Sequence, residues 1–154
     1  MTINTGKYEK QILDLFDRSF LPLSRFAIFI IYFWFGILKV LDLSPATPLA
    51  YALIASTVGH QYFDYLFAIL GVFECILGIL FLFPKAIRAA MILLFAHMLI
   101  VCSPLILVAD LAWDQLFVPT LEGQYIIKNI ALIALAIGIA VQTNKIVKRT
   151  SKTK

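Results

Sequence analysis

The chain has 154 residues, of which 62% are hydrophobic and only 14% charged, and its mean hydropathy is +0.93. Soluble domains contain roughly 45–50% apolar residues, so this composition excludes an ordinary soluble protein and predicts a single compact membrane protein. Lys and Arg outnumber Asp and Glu by 13 to 9. The aromatic residues lie inside apolar runs and not on a basic solvated face, so nucleic acid is not an expected partner.

Residues 1–23 form the first segment, which is polar and of mixed charge. Within it Tyr8, Ile12, Phe16 and Phe20 recur every fourth residue, with charged residues between them. This spacing predicts an amphipathic helix that lies in the cytoplasmic interface of the membrane. The segment has no short apolar core followed by a cleavage site, so the first hydrophobic span is expected to remain in the mature protein.

Four apolar segments then follow, each of about the 20 residues that a helix needs to cross a bilayer core about 30 Å thick. The predicted spans are 24–43, 63–83, 86–108 and 124–142. Pro84 and Lys85 leave so short a connection that the second and third spans must form a tight antiparallel hairpin. The sequence therefore predicts an all-α polytopic membrane protein. Residues 24–143 are expected to form an antiparallel four-transmembrane-helix bundle, preceded by the N-terminal amphipathic interfacial helix.

Basic residues indicate the orientation of the bundle. The predicted loops 44–62 and 109–123 contain no Lys or Arg, whereas both terminal segments carry several and the second connection carries Lys85 with Arg88 close behind it. By the positive-inside rule both termini are expected to be cytoplasmic in a bacterial inner (plasma) membrane, with residues 144–154 as a basic cytoplasmic tail. This tail either frays or is held by anionic lipid headgroups. A short outer helix over 48–58 is expected to cover the bundle.

Four Lys, Glu or His residues lie one turn or more inside the predicted spans, where each charge costs about 2.5 to 3.5 kcal/mol on insertion scales. Lys39 and Lys128 each lie about one turn below the outer end of their helices and are predicted to share a layer. Glu74 and His97 lie near the middle of the second and third spans and are predicted to share a deeper layer. Their positions make all four candidate functional residues.

Small residues indicate which way two of these charges point. Gly71 and Gly78 share a helix face with Glu74, and Ala131 shares a face with Lys128. Faces of small residues favour close contact between helices in membranes. Both charges are therefore predicted to point into the bundle.

These residues predict an outward-facing polar pocket. Lys39 and Lys128 are the expected cationic anchors for an anionic or carbonyl-bearing ligand, and Glu74 with His97 forms the expected catalytic, proton-handling pair, because histidine exchanges protons near neutral pH. No metal site is expected. The simpler alternative is a set of structural pairs: Lys39 with Asp42, Lys128 with Glu122, and Glu74 with His97. The further candidate ligand-binding residues are Tyr32, Glu122, Gln124, Tyr125 and Asn129.

Three stretches together resemble the DoxX-like superfamily of small four-helix membrane proteins. They are YFWFGILK in the first span, the Ser44–Pro45 turn, and LEGQYIIKNIALIALA at the start of the fourth span. The resemblance covers about residues 25–142, with Lys39 and Lys128 at the family's recurring lysines and Glu74 at an acidic position often found in the second helix. It implies an antiparallel four-helix bundle. The resemblance also implies a role associated with redox reactions. The founding members of the superfamily take part in thiosulfate oxidation with quinone as the acceptor, and others are associated with oxidative or chlorine stress.

Three functions follow as hypotheses. The first is a redox-associated component that binds a quinone-like or small anionic ligand beside a partner subunit. The second is a small-solute transporter or permeation protein, and the third is a non-catalytic assembly or interaction subunit of a membrane complex. The chain shows neither an internal inverted repeat nor a Gly/Pro-broken helix at the membrane centre, features typical of transporters, which favours the first. Whether the chain is an enzyme, and whether it forms a homo-oligomer, are left open. No covalent cofactor is implied, and quinone is the candidate ligand.

Overall fold

A computed structural model describes residues 5–152, apart from the side chains of Thr5, Lys7 and residues 148–152. Residues 1–4 and 153–154, at the outer ends of the predicted interfacial segment and tail, lie outside the described residues. The described chain is mostly helical and contains one small hairpin. Its elements are α1 (Thr5–Val40), α2 (Thr47–Thr57), α3 (Phe63–Leu82), α4 (Ile87–Cys102), α5 (Pro104–Leu107), α6 (Ala109–Ala112), β1 (Trp113–Gln115), β2 (Val118–Pro119), α7 (Leu121–Ile127) and α8 (Asn129–Lys152).

Four helical segments are long and apolar enough to cross a membrane, which confirms the predicted all-α membrane bundle. They run over Tyr8–Val40, His60–Leu82, Pro84–Leu107 and Leu121–Val147. The chain is thus a multi-pass membrane protein. We call the end of the bundle that carries residues 41–59 and 103–120 the loop side, and the opposite end, to which both chain ends return, the terminal side.

The first helix is continuous from Thr5 to Val40, so no break separates the predicted interfacial helix from the first span. At 1.5 Å per residue its 36 residues extend about 54 Å, well beyond one bilayer core, with Pro22 inside the helix. Helix α1 ends three residues before the predicted boundary because Asp42 adopts a left-handed φ of 56°. Leu43 N then donates to Leu38 O at 2.8 Å and Asp42 N to Lys39 O at 3.3 Å, the pattern of a Schellman C-cap.

Helices α1 and α3 approach each other closely at a pair of glycines. A Cβ atom added at Gly36 would lie 2.6 Å from Gly71 O, and one added at Gly71 would lie 2.7 Å from Gly36 O. Such small residues let two backbones come together in a membrane. The contact places Lys39 beside Gly71, where an added Cβ would lie 2.9 Å from Lys39 Cβ, and Glu74 follows Gly71 by one turn of α3. It therefore sets the position of the site described below.

The loop side is more structured than the sequence indicated. Helix α2 lies one residue from its predicted bounds, but the two-stranded antiparallel hairpin of β1 and β2 was not predicted. Helix α4 ends at Cys102, before the predicted residue 108, because Pro104 starts the separate short helix α5. The last span starts at Leu121, three residues early, since the Thr120 side chain caps α7 by accepting from Gly123 N at 3.1 Å.

Candidate functional site

Four polar side chains from three helices meet inside the bundle, and we call them the buried polar row, or simply the row. Lys39 Nζ on α1 lies 2.6 Å from Glu74 Oε2 on α3, and Glu74 Oε1 lies 3.0 Å from His97 Nε2 on α4. The Tyr32 hydroxyl on α1 lies 3.5 Å from His97 Nδ1. A single continuous row of hydrogen-bonding groups thus connects α1, α3 and α4.

This row is almost completely enclosed. The side chains of Lys39, Glu74 and His97 are 9%, 6% and 4% exposed, respectively. Burying an unpaired charge costs far more than burying one that is paired and hydrogen-bonded, and here each carboxylate oxygen of Glu74 has its own partner. The arrangement explains how a span tolerates a lysine and a glutamate.

The contacts also fix the chemical roles along the row. An ionised carboxylate only accepts hydrogen bonds, so with Glu74 ionised the imidazole is the donor in the bond from His97 Nε2. In the neutral tautomer that carries its proton on Nε2, His97 Nδ1 accepts from the Tyr32 hydroxyl. Lys39, which also donates to Phe35 O at 3.4 Å, supplies the positive charge at the other end.

Two aromatic rings hold the imidazole in place. Phe73 is stacked on His97 with ring centroids 5.8 Å apart, and Tyr32 meets it edge-on at 5.3 Å. Phe73 is a site residue that the sequence reasoning missed, because α3 is apolar along its length and nothing distinguishes this phenylalanine from its neighbours. Restricting the ring orientation favours proton transfer along one fixed path.

The structure places Lys39 at a different depth from the predicted one. Side chains on a helix lean toward its N-terminus, which for α1 means away from the loop side and toward the middle of the bundle. The Lys39 ammonium group therefore descends to Glu74, and the prediction of two separate layers is wrong. The alternative pair of Lys39 with Asp42 is also wrong, because Asp42 belongs to the C-cap of α1.

Lys128 is not part of the row. Helix α7 runs in the opposite direction to α1, so the same lean carries the Lys128 side chain toward the loop side, where its Nζ lies 4.0 Å above the centre of the Tyr125 ring. The residue is exposed, and the prediction that its charge points into the bundle is wrong. No described carboxylate lies within 4.0 Å of it, so the alternative pair of Lys128 with Glu122 is wrong as well.

The other candidates near Lys128 also stay on the loop side. Glu122, Gln124 and Tyr125 are exposed and Asn129 is half-buried. The Gln124 amide reaches Pro119 O at 3.5 Å. The structure therefore brings together Tyr32, Lys39, Glu74 and His97, and leaves the five candidates around the start of the last span apart from them.

Apolar side chains cover the row on both sides. Toward the terminal side, Ile28, Leu77 and Leu94 lie one turn beyond Tyr32, Glu74 and His97 and are 0% exposed. Toward the loop side, Phe67 stands two turns above Glu74 on the same face of α3 and is 3% exposed. The predicted outward-facing opening is closed over in this conformation.

The described residues offer no group of three or more His, Cys, Asp and Glu side chains that could hold a metal ion. Cys75, next to Glu74, and Cys102 are free thiols. The groups of the row can donate and accept hydrogen bonds, carry charge and exchange protons.

Comparisons with other proteins return no match. No family model, no curated protein and no solved structure matches this chain.

Proposed function

We propose that this membrane protein is a redox-associated component that binds a quinone-like or small anionic ligand at the buried polar row and exchanges protons with it. One observation carries the proposal: Lys39, Glu74, His97 and Tyr32 form one hydrogen-bonded row inside the bundle. Ionisable residues within spans are costly and typically functional. The resemblance to the DoxX-like superfamily points to the same class of function.

The row contains what a quinone-like ligand requires. A quinone takes up two electrons and two protons when it becomes a quinol, and its carbonyl oxygens acquire negative charge on the way. The Lys39 ammonium group is a donor for such an oxygen. His97, placed between Glu74 and Tyr32, is the residue suited to pass protons. The electrons come from another redox component of the membrane, which is the partner that the proposal requires.

The apolar layer below the row favours this function over transport. A solute path across the membrane needs polar lining on both sides of its centre. Below the row, Ile28, Leu77 and Leu94 are completely buried, which supports access of a ligand from the loop side or from the lipid. A site enclosed by apolar side chains suits binding and proton exchange better than permeation.

The proposal places the protein in a bacterial inner membrane with the termini in the cytoplasm and the loop side facing outward. The support is the distribution of basic residues, which are absent from the loops 44–62 and 109–123. The ligand would then be reached from the outer half of the membrane. The test of this orientation is a cysteine introduced at Gly6 and treated with a thiol reagent that cannot cross the membrane. The new cysteine should remain unlabelled in intact cells, and labelling of it from outside would contradict the orientation.

The test of function is a measurement of quinone on the purified protein. Protein extracted in mild detergent is expected to retain quinone, detected after solvent extraction, and to bind added quinone. Lys39→Met should abolish the binding and Lys39→Arg should retain part of it, because arginine keeps the charge and the donors. Lys128→Met is the matched control, since it removes the same group from an exposed position. Equal binding by Lys39→Met and Lys128→Met would contradict the proposal.

Proton handling is tested separately by pH. Quinone binding or turnover in Glu74→Gln and His97→Gln should depend on pH between 5 and 8 differently from the wild type. Unchanged profiles in both variants would remove the proton-handling role. Uptake of a solute into liposomes by a protein that binds no quinone would favour the alternative of a small-solute transporter. A partner protein that co-purifies stoichiometrically, with neither quinone binding nor solute uptake, would favour the alternative of a non-catalytic interaction subunit.

A further inference from the structure

A cleft of about 230 Å³ opens between α1 and α8 on the terminal side of the bundle. Both polar and apolar side chains line it, and we call it the terminal cleft. Its lining residues are Asp17, Phe20, Leu21, Gln142, Lys145 and Ile146. We propose that this cleft binds the headgroup of a zwitterionic aminophospholipid, with the phosphate held by cations and the ammonium group held by Asp17.

A buried cation lies next to the lining of the cleft, bonded to Thr143, the neighbour of the lining residue Gln142. Arg25 follows Leu21 by one turn on the same face of α1 and is only 9% exposed. Its Nη2 donates to Thr143 Oγ1 at 2.7 Å, but its Nε is buried without a hydrogen-bond partner. No described carboxylate lies within 4.0 Å of it. Because side chains on a helix lean toward its N-terminus, the guanidinium group extends toward the cleft.

A buried guanidinium group with one neutral partner is an incomplete arrangement. Buried charges in proteins are normally paired or fully hydrogen-bonded, since desolvation otherwise destabilises them. Phosphate oxygens match the fork of donors on arginine. An oxygen anion that enters the cleft would supply the acceptor that Arg25 lacks.

The charges at the mouth of the cleft select among headgroups. Lys145 on α8 adds a second cation and Asp17 on α1 adds a carboxylate, and these two are not within 4.0 Å of each other. A purely anionic headgroup would leave the Asp17 carboxylate without a cationic partner. An aminophospholipid carries a phosphate for the cations and an ammonium group with N–H donors for Asp17. The quaternary ammonium group of phosphatidylcholine lacks those donors.

The cleft also lies at the right depth. Phe20 precedes Val40, the last residue of α1, by twenty positions, a distance of about 30 Å along the helix. This length matches the hydrocarbon thickness of a bilayer. With Val40 at one boundary, Phe20 lies at the other, where headgroups are found, and Asp17 lies one turn further out. The apolar side chains of Phe20, Leu21 and Ile146 are then placed to contact the start of the acyl chains.

Native mass spectrometry of the detergent-purified chain tests the proposal. Phosphatidylethanolamine, phosphatidylglycerol and phosphatidylcholine with identical acyl chains are titrated in turn. The wild type should bind phosphatidylethanolamine most tightly. Asp17→Asn should reduce that preference over phosphatidylcholine about tenfold, the effect of losing one charged hydrogen bond. Lys145→Gln should weaken the binding of all three lipids, because each carries the phosphate.

The loop side supplies the matched controls. Asp42→Asn and Lys128→Gln make the same two chemical changes at exposed positions far from the cleft, and should leave the lipid preference unchanged. Equal binding of the three lipids, or identical behaviour of the cleft variants and these controls, would overturn the proposal. Displacement of bound phosphatidylethanolamine by millimolar inorganic phosphate would assign the cleft to a free anion and would overturn it as well.

Discussion

Lys39 and Lys128 occupy equivalent positions in two spans but have opposite environments. Both backbones lie near the loop side, and both residues were predicted to face a shared pocket. Lys39 is paired with Glu74 at 2.6 Å in the interior, whereas Lys128 is exposed and lies over Tyr125. The difference follows from the direction of the chain, because a helical side chain leans toward the N-terminus of its own helix. In antiparallel spans, the side chains of two residues whose backbones lie at the same depth therefore extend toward opposite ends of the bundle.

The largest effect should come from breaking the interior pair. Glu74→Gln preserves the shape of the side chain but leaves the Lys39 charge buried without a carboxylate, which costs about 3–5 kcal/mol. The free energy of unfolding, measured in mixed detergent micelles, should fall by this amount. Glu122→Gln removes an exposed carboxylate from the Lys128 region and should change the unfolding free energy by less than about 0.5 kcal/mol. Similar values for the two variants would show that the pair does not exist.

The double variant Lys39→Met with Glu74→Leu sharpens the same comparison. Replacement of both members of a buried pair by apolar side chains is often nearly neutral. The double variant should therefore be more stable than Glu74→Gln alone, when both are unfolded under the same conditions. A double variant that is less stable than either single change would contradict the pairing.

A smaller loss of stability should follow from a substitution that forces α1 and α3 apart. Gly71→Ala would place a Cβ atom 2.7 Å from Gly36 O and 2.9 Å from Lys39 Cβ, so the helices must move apart. Overpacking of this kind costs about 1–3 kcal/mol, and the shift should also lower quinone binding. Gly6→Ala is the control, because nothing lies within 4 Å of the added atom. A stable, fully binding Gly71→Ala protein would contradict the close contact.

The Tyr32 end of the row should contribute less to the free energy of unfolding. Tyr32→Phe removes the hydroxyl that lies 3.5 Å from His97 Nδ1, a long hydrogen bond, so the expected loss is about 0.5 kcal/mol. The pH dependence of quinone binding should change at the same time, which a purely structural hydroxyl would not produce. Tyr125→Phe is the comparison in the exposed region, and it should leave that pH dependence as it is in the wild type.

The exposed lysine should show the smallest effect. Lys128→Met removes one cation–π contact at an exposed site, worth about 0.5–1 kcal/mol at most. Thermal unfolding in detergent should shift little, and quinone binding should remain at the wild-type level. A Lys128→Met protein that loses quinone while it remains folded would restore the original hypothesis of two cationic anchors.

The sequence predicts the bundle well and the site in part. Apolar runs of about 20 residues are a strong signal for spans, and Pro84 with Lys85 marks the tight turn. Glu74 and His97 were recognised as neighbours because their depths match. Lys39 and Lys128 were placed by backbone depth alone, which ignores the length and lean of a lysine side chain. The continuity of α1 through Pro22 and the hairpin that begins at Trp113 were not predicted, because a proline usually ends a helix and the two strands have only three and two residues.

Infrared difference spectroscopy on bound quinone tests the central claim most directly. Reduction of the quinone in the wild type should produce a change in a carboxyl band, and the same band should be absent from Glu74→Gln that still binds the ligand. This result would show that Glu74 and the ligand exchange protons or hydrogen bonds. A wild-type protein whose bound quinone is reduced without any change assignable to Glu74 would contradict the account.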